Sequence, residues 1–173
     1  MIQGKTVSET SVTMAQVMLP QDANPAGNVH GGVIMKLIDT AAAVVASRHA
    51  RANTVTASLD RLDFHHPVFV GDLLFLKASI NMAGRTSMEI GVRVEAENFV
   101  TGEVRHTSSA YLTFVALDEH GKPRTVPPLV LETDDEARRN QEALMRKKMR
   151  LDQKSKEDRC QKDGICELPD QSS

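Results

Sequence analysis

Hydrophobic and polar positions divide this chain into one long apolar stretch followed by a series of alternating ones. From Val33 to Ala46 almost every position is apolar, and only Lys36, Asp39 and Thr40 interrupt the run. That density over more than three turns predicts a helix with no fully polar face, one wrapped by other elements rather than lying on a surface. After Arg51-Ala52-Asn53 the period changes to two. Val55, Ala57 and Leu59 share one parity and Leu62 and Phe64 the other, so the alternation flips near Asp60-Arg61, where a bulge reconciles the halves. His65-His66-Pro67 ends this strand and Val70-Gly71-Asp72 turns the chain. Leu74, Leu76, Ala78, Ile80 and Met82 then alternate with Lys77, Ser79 and Asn81. Past Gly84-Arg85 comes the cleanest strand: Met88, Ile90, Val92, Val94 and Ala96 oppose Ser87, Glu89, Arg93, Glu95 and Glu97. Thr101-Gly102 turns the chain again, and Val104 to Leu117 forms the last long strand. Upstream, residues 5–18 mix β-branched and polar residues and read as one strand.

The order is therefore strand, buried helix, then four long strands joined by short turns. The class is α+β: a curved antiparallel sheet with one face on a core, wrapped around the helix. A single sheet leaves one side of an all-round apolar helix uncovered, and a second subunit is the economical cover. Pro127-Pro128 closes a main domain spanning residues 1–130. Residues 131–159 form a charged helical extension, with acids early and bases late as the helix dipole prefers, and residues 160–173 read as a disordered tail. The extension has few apolar positions and reads as a solvated helix on the domain surface.

One carboxylate, Asp39, sits inside the apolar run. Charged groups are seldom buried unless paired or employed, so it is either a functional acid or a partner of Lys36 or Arg48. The run is preceded by Asn24-Pro25-Ala26-Gly27-Asn28, rich in turn residues, and by His30-Gly31-Gly32. Free N–H groups at a helix start carry partial positive charge, and the glycines let a ligand approach them. An oxygen gaining negative charge fits there, although a tight turn explains the glycines equally well.

Charge and composition narrow the classes. The formal net charge is -2 with a sequence pI near 6.3, which gives no electrostatic case for nucleic acid. One tyrosine and no tryptophan leave no stacking platforms for single strands. The apolar run is too short for a membrane span, and the N-terminus lacks the apolar core of a signal peptide, so a cytoplasmic location is expected and no membrane association. Cys160 and Cys166 match neither a redox pair nor a zinc knuckle, and no histidine–carboxylate cluster has metal-ligand spacing. No metal is expected.

The run N-P-A-G-N-V-H-G-G-V-I-M-K-L-I-D, residues 24–39, resembles the signature of hot-dog-fold acyl-CoA thioesterases, and more narrowly of the cytosolic acyl-CoA hydrolase family. The similarity continues through V-T-A-S-L-D (55–60), G-R-T-S-M-E-I (84–90), H-T-S-S-A-Y-L-T-F-V-A-L (106–117) and V-P-P-L-V-L-E-T-D-D-E (126–136). It implies a hot-dog fold and hydrolysis of fatty acyl-CoA to a fatty acid and coenzyme A. Coenzyme A would be part of the substrate, with no separate cofactor. It also implies that Asp39 activates water or attacks the thioester, that Asn24 orients the water or the carbonyl, and that a backbone N–H at Gly32 holds the oxyanion. His30 is a further candidate, for the turn or as a base. Arg85, Thr86 and Ser87 are the candidates for contacting the nucleotide. The animal members fuse two domains and divide the asparagine and aspartate between them, whereas this chain carries both on one. The expected assembly is a homodimer with sites shared between subunits, built into a hexamer (a trimer of dimers) or a tetramer. Two other readings compete: a hydroxyacyl-thioester dehydratase with His30 as base, and a non-catalytic acyl-CoA-binding regulator.

Overall fold

The computed structural model describes residues 3–163. A 20-residue helix, α1 (Gly31–Ala50), lies against a five-stranded antiparallel sheet of order β2-β4-β5-β6-β3. The strands are β2 (Val12–Val17), β3 (Asn53–Phe64), β4 (Leu73–Ala83), β5 (Ser87–Asn98) and β6 (Glu103–Leu117). Two short segments, β1 (Lys5–Thr6) and β7 (Leu129–Val130), pair in parallel beside the sheet, and α2 (Asp134–Asp163) follows. The single strand expected over residues 5–18 is thus two pieces. Between them Thr10 and Ser11 turn their N–H groups back onto the Val7 carbonyl, so the chain leaves β7 and joins β4.

The inner face of the sheet and the inner side of α1 make one core, including Ile34, Ile38, Ala42 and Val45 against Leu76, Ile90, Val94 and Phe114. Small residues at Ala41, Ala42 and Ala46 let the helix approach the strands closely. The other side of α1 is uncovered in the single chain. Met35 is 43% exposed and Val44 38%, and beside them on β3 Leu59 is 41% exposed. At its C-terminal end, Arg51 adopts the left-handed conformation at φ 48° and bonds back to the Ser47 carbonyl. Lys5 Nζ donates to the Arg48 and His49 carbonyls there, at 2.9 and 2.8 Å.

β3 carries two irregularities, between Thr56 and Ser58 and between Leu59 and Arg61. The second is the bulge the sequence predicts; the first, at Ala57, is additional. Together they place Thr56, Leu59 and Leu62 along one cleft beside α1, while Ser58 and Asp60 bond to one another on the opposite face. A third irregularity, between Ile80 and Met82, leaves Asn81 on the outer face, where its Nδ2 donates to Glu89, and brings Met82 opposite Glu89 instead of onto the inner face.

Glu89 is the exception to the clean alternation of β5. It lies on the polar parity, yet its side chain is 1% exposed, because α2 covers it and Arg146 bonds to it at 2.7 Å. The Arg146 guanidinium also lies 3.8 Å from the Tyr111 ring centroid, the geometry of a cation–π contact. Nearby, Arg150 reaches Asp60 and Thr113. Asn140 Nδ2 donates to the Asn81 carbonyl at 2.8 Å, and Ala143 is fully buried. The charged helix therefore does not merely lie in solvent: it docks through polar anchors rather than an apolar stripe. Gly91 makes room for this, since a Cβ there would sit 2.6 Å from Asn81 Nδ2. The helix continues to Asp163 instead of ending at 159; the rest of the expected tail, with Cys166, lies outside the described residues. No helix among the described residues is long and apolar enough to cross a membrane.

Candidate functional site

Asp39 sits on the outward side of α1, on the eighth residue after the helix begins. Its Oδ1 accepts a 2.6 Å hydrogen bond from Thr56 Oγ1. The pairing with Lys36 or Arg48 that the sequence allows does not form: Arg48 instead donates to the Glu9 and Ser11 carbonyls. Around the Asp39–Thr56 pair, Met35, Ile38, Leu59, Leu62 and Leu112 line a cleft of about 310 Å³. A carboxylate with one short hydroxyl contact and apolar walls is held in orientation without being neutralised by a cation, which is what a general base needs.

Asn24 lies elsewhere. Its backbone N–H donates to the Asn28 carbonyl and its Oδ1 accepts from Ala26 N–H at 2.9 Å, forming a side-chain-capped turn. The Nδ2 donor is left without a partner among the described residues. It belongs to a second cleft, of about 370 Å³, lined also by Gly31, Ile34, Phe64, His65 and Val68.

At the mouth of that cleft α1 begins. His30 is its N-cap, and His30 Nδ1 accepts from Gly32 N–H at 3.0 Å. The Gly32 donor expected for an oxyanion is therefore already engaged. The donor without a protein partner among the described residues is the N–H one position earlier, at Gly31. Gly31 and Asn24 thus present two N–H donors to one cleft, while the carboxylate faces another. From Gly31 to Asp39 the helix rises roughly 12 Å.

The turn at 84–87 is held through its backbone. Gly84 N–H bonds to the Ser87 carbonyl, the Thr86 carbonyl accepts from Ala116, and the Arg85 carbonyl from Val126. Thr86 and Ser87 therefore sit beside β6, two strand spacings, or roughly 10 Å, from Val55 next to Thr56. The Arg85 side chain is exposed, and its guanidinium has no partner among the described residues. Lys147 of α2 comes to the same turn, with Nζ 3.0 Å from where a Cβ on Gly84 would be. Two cations without a carboxylate partner thus flank one turn.

Sequence reasoning missed Thr56 and Lys147. Thr56 stood in the quoted V-T-A-S-L-D block, but with a single bulge it falls on the face opposite Leu59 and away from α1. Lys147 could be placed only by knowing where α2 docks. A further cleft, of about 670 Å³, is on the outer face of the sheet, away from both candidate groups. Its cations are paired internally, Arg93 and Lys77 with Glu95, and Arg138 with Asp135 and Glu142. Among the described residues no cluster of histidine, cysteine and carboxylates has the geometry to hold a metal.

The thioesterase superfamily pattern matches residues 26–103. The uncharacterized acyl-CoA thioester hydrolase YkhA of Bacillus subtilis is 38% identical over 146 residues, covering 84% of this chain and 85% of its own length. The mouse cytosolic acyl coenzyme A thioester hydrolase is 40% identical over 139 residues, 79% of this chain but 36% of that longer protein. Among solved structures, a hexameric apo acyl-CoA thioesterase superposes with a TM-score of 0.85 at 40% identity, covering 88% of this chain and 97% of that one. The acyl-CoA hydrolase of Staphylococcus aureus, in complex with butyryl coenzyme A, coenzyme A and coenzyme A disulfide, superposes at 0.84 with 35% identity, covering 91% and 96%. Alanine variants of the S. aureus protein at an aspartate, an asparagine and a threonine have also been solved.

Proposed function

Because the chain belongs to the acyl-CoA thioester hydrolases of the thioesterase superfamily, with a hot-dog fold, we propose that Asp39, Thr56, Asn24 and Gly31 carry out the hydrolysis at sites shared between two subunits. The reaction is cleavage of acyl-CoA by water, giving a carboxylate and the coenzyme A thiol. A thioester carbonyl lacks the resonance of an amide, so one positioned water and one base suffice. Asp39 takes a proton from that water as its oxygen adds to the carbonyl carbon. The carbonyl oxygen becomes an oxyanion held by Gly31 N–H and Asn24 Nδ2. When the oxyanion collapses and the C–S bond breaks, the proton on Asp39 passes to the departing sulfur, and the carboxylic acid formed ionises by releasing the water's second proton to solvent. Thr56 keeps the Asp39 carboxylate aimed, and does not itself touch substrate.

The observation that carries this reading is the Asp39–Thr56 pair standing in an apolar-walled cleft. The S. aureus variants add to it. Their asparagine, aspartate and threonine have the same separations along the chain as Asn24, Asp39 and Thr56 here.

The two clefts of one chain hold complementary halves of such a site. An antiparallel pair of α1 helices crossing at Met35, midway between Gly31 and Asp39, sets the donors of one subunit opposite Asp39 of the partner subunit. It also covers the exposed Met35, Val44 and Leu59. We infer that such dimers build into a hexamer, the solved relative being hexameric, and a cytoplasmic location accords with the cytosolic relative. Arg85 and Lys147 receive phosphates of the nucleotide, with Thr86 and Ser87 shaping the turn. The dehydratase reading requires a histidine facing the substrate, and no observation on His30, whose ring caps α1, favours it.

The test is thiol release from butyryl-CoA, followed with a chromogenic thiol reagent. Asp39→Asn keeps the size of the side chain and its contact to Thr56 while removing the base. A fall in kcat of at least a hundred-fold is expected; wild-type kcat in a folded variant would remove Asp39 from the mechanism.

A further inference from the structure

The outer face of the sheet holds an anchor aimed at the other side of β3. Asp60 is the extra residue at the second β3 irregularity, and its side chain is only 7% exposed. Its Oδ1 accepts from Ser58 at 2.7 Å, while its Oδ2 accepts from Thr113 at 3.0 Å and from Arg150 of α2. Arg150 also donates to Thr113 at 2.6 Å. Three donors, one of them a cation, thus converge on a carboxylate that lies between β3 and its partner strand.

Those irregularities decide what β3 shows to α1. In a regular strand Thr56 shares a face with Ser58, Asp60 and Leu62. Here Ser58 and Asp60 face outward together, while Thr56, Leu59 and Leu62 line the Asp39 cleft. The segment 56–62 can present Thr56 inward only while Ser58 and Asp60 stay outward, and a buried carboxylate stays outward only while its charge is matched there.

Resting on the catalytic reading above, we propose that Arg150, through Asp60, is a positioning residue for the hydrolysis: it locks the doubly bulged segment of β3 so that Thr56 meets the Asp39 carboxylate. The C-terminal helix thereby takes part in the reaction from the opposite side of the sheet. Removing the Arg150 charge releases Asp60, lets the segment slip toward regular alternation, and withdraws Thr56 from Asp39. Misplacement of a reacting group by about 1 Å can cost up to about a hundred-fold in rate.

The experiment compares kcat and KM for butyryl-CoA in Arg150→Ala, Thr56→Val and the double variant, with Asn140→Ala as a control. Asn140→Ala loosens the same helix by removing its bond to Asn81, without touching β3. The expected result is a fall in kcat of about ten-fold for Arg150→Ala with KM within two-fold. No further fall is expected when it is added to Thr56→Val, since both act on one contact. Arg150→Lys restores part of kcat, and Asn140→Ala leaves it within two-fold. If Arg150→Ala does not fold, Arg150→Gln, which keeps an amide donor without the charge, is measured instead. Multiplicative losses in the double variant, an effect on KM alone, or an equal loss in Asn140→Ala would each overturn the proposal. If Asp39→Asn is inactive while Arg150→Ala keeps wild-type kcat, only this inference falls. If Asp39→Asn keeps wild-type kcat, the catalytic reading falls and takes this one with it.

Discussion

Two inactive variants should rebuild activity when mixed, if each site draws on two subunits. Asn24→Ala removes a donor from one cleft and Asp39→Ala the base from the other, and each homodimer then lacks the same part in both sites. The separation makes the case quantitative. Gly31 and Asp39 of one chain are roughly 12 Å apart along α1. An attacking water must lie about 3–3.5 Å from its carbonyl carbon. On the proposed arrangement the gap between donors and base is closed across the dimer, by an antiparallel helix pair centred on Met35. In a mixed dimer one site combines both mutated parts and the other combines both intact ones. With random exchange about half the dimers are mixed, and each has one working site of two, so activity should reach about a quarter of wild type. The same fraction holds for dimers assembled into a hexamer. The assay is thiol release after unfolding and co-refolding equal amounts of the two variants, with exchange verified by native mass spectrometry. Confirmed exchange with no gain above the separate variants would place the whole site in one chain and refute the shared arrangement.

Other outcomes follow from the anchors and the binding turn. Arg146→Ala leaves Glu89 charged and buried without its cation, a loss of about 3–5 kcal/mol. That lowers Tm by on the order of 10 °C in a chain of this size, with Glu89→Gln in the same variant recovering part; an unchanged Tm would mean that α2 does not seal Glu89. Arg85→Ala and Lys147→Ala should each raise KM for acyl-CoA by about ten-fold and leave acyl-pantetheine almost unchanged, because a charge-assisted contact contributes about 1.5–3 kcal/mol. An equal loss on both substrates would assign the turn a structural role only. His49 is buried with Nε2 2.8 Å from the Pro127 carbonyl, and burial holds its pKa below the usual histidine value. As pH falls the unfolded chain therefore takes up the proton first. The stability His49 allows is fully present above about pH 6.5 and is lost as pH falls below it toward the folded-state value. The Tm of the protein should accordingly drop more between pH 7.5 and 5.5 than that of His49→Gln, and parallel profiles would clear His49 of the effect.

The sequence showed some of these features directly and hid others for physical reasons. α1 was legible because a run so apolar has only one way to be buried, and Asp39 because a lone carboxylate in such a run demands a reason. The turn chemistry at Asn24 and the hairpins at Gly84 and Gly102 were equally local. What was hidden depends on contacts remote in sequence. A bulge at Ala57 leaves no mark on the hydrophobic pattern when Val55, Ala57 and Leu59 already alternate, so the pattern alone puts Thr56 on the face opposite Leu59. Glu89 alternates perfectly as a surface residue, and its burial is visible only with Arg146, 57 residues later, in place. α2 has almost no apolar stripe, so no periodicity announces that it docks. The free donor at Gly31 rather than Gly32 depends on which way the His30 ring turns.

Gly91 gives the outer face a further meaning. With only hydrogen at that position, the Asn81 side chain can lean across β5 and reach Glu89 with its amide, beside the Asn81 backbone carbonyl that accepts from Asn140. A single methyl group there would push the amide away and strip Glu89 of a donor beneath the helix. Part of the seat of a thirty-residue helix thus depends on an absent carbon atom. Anyone grafting this C-terminal helix onto another hot-dog sheet would have to transplant that vacancy along with the arginines.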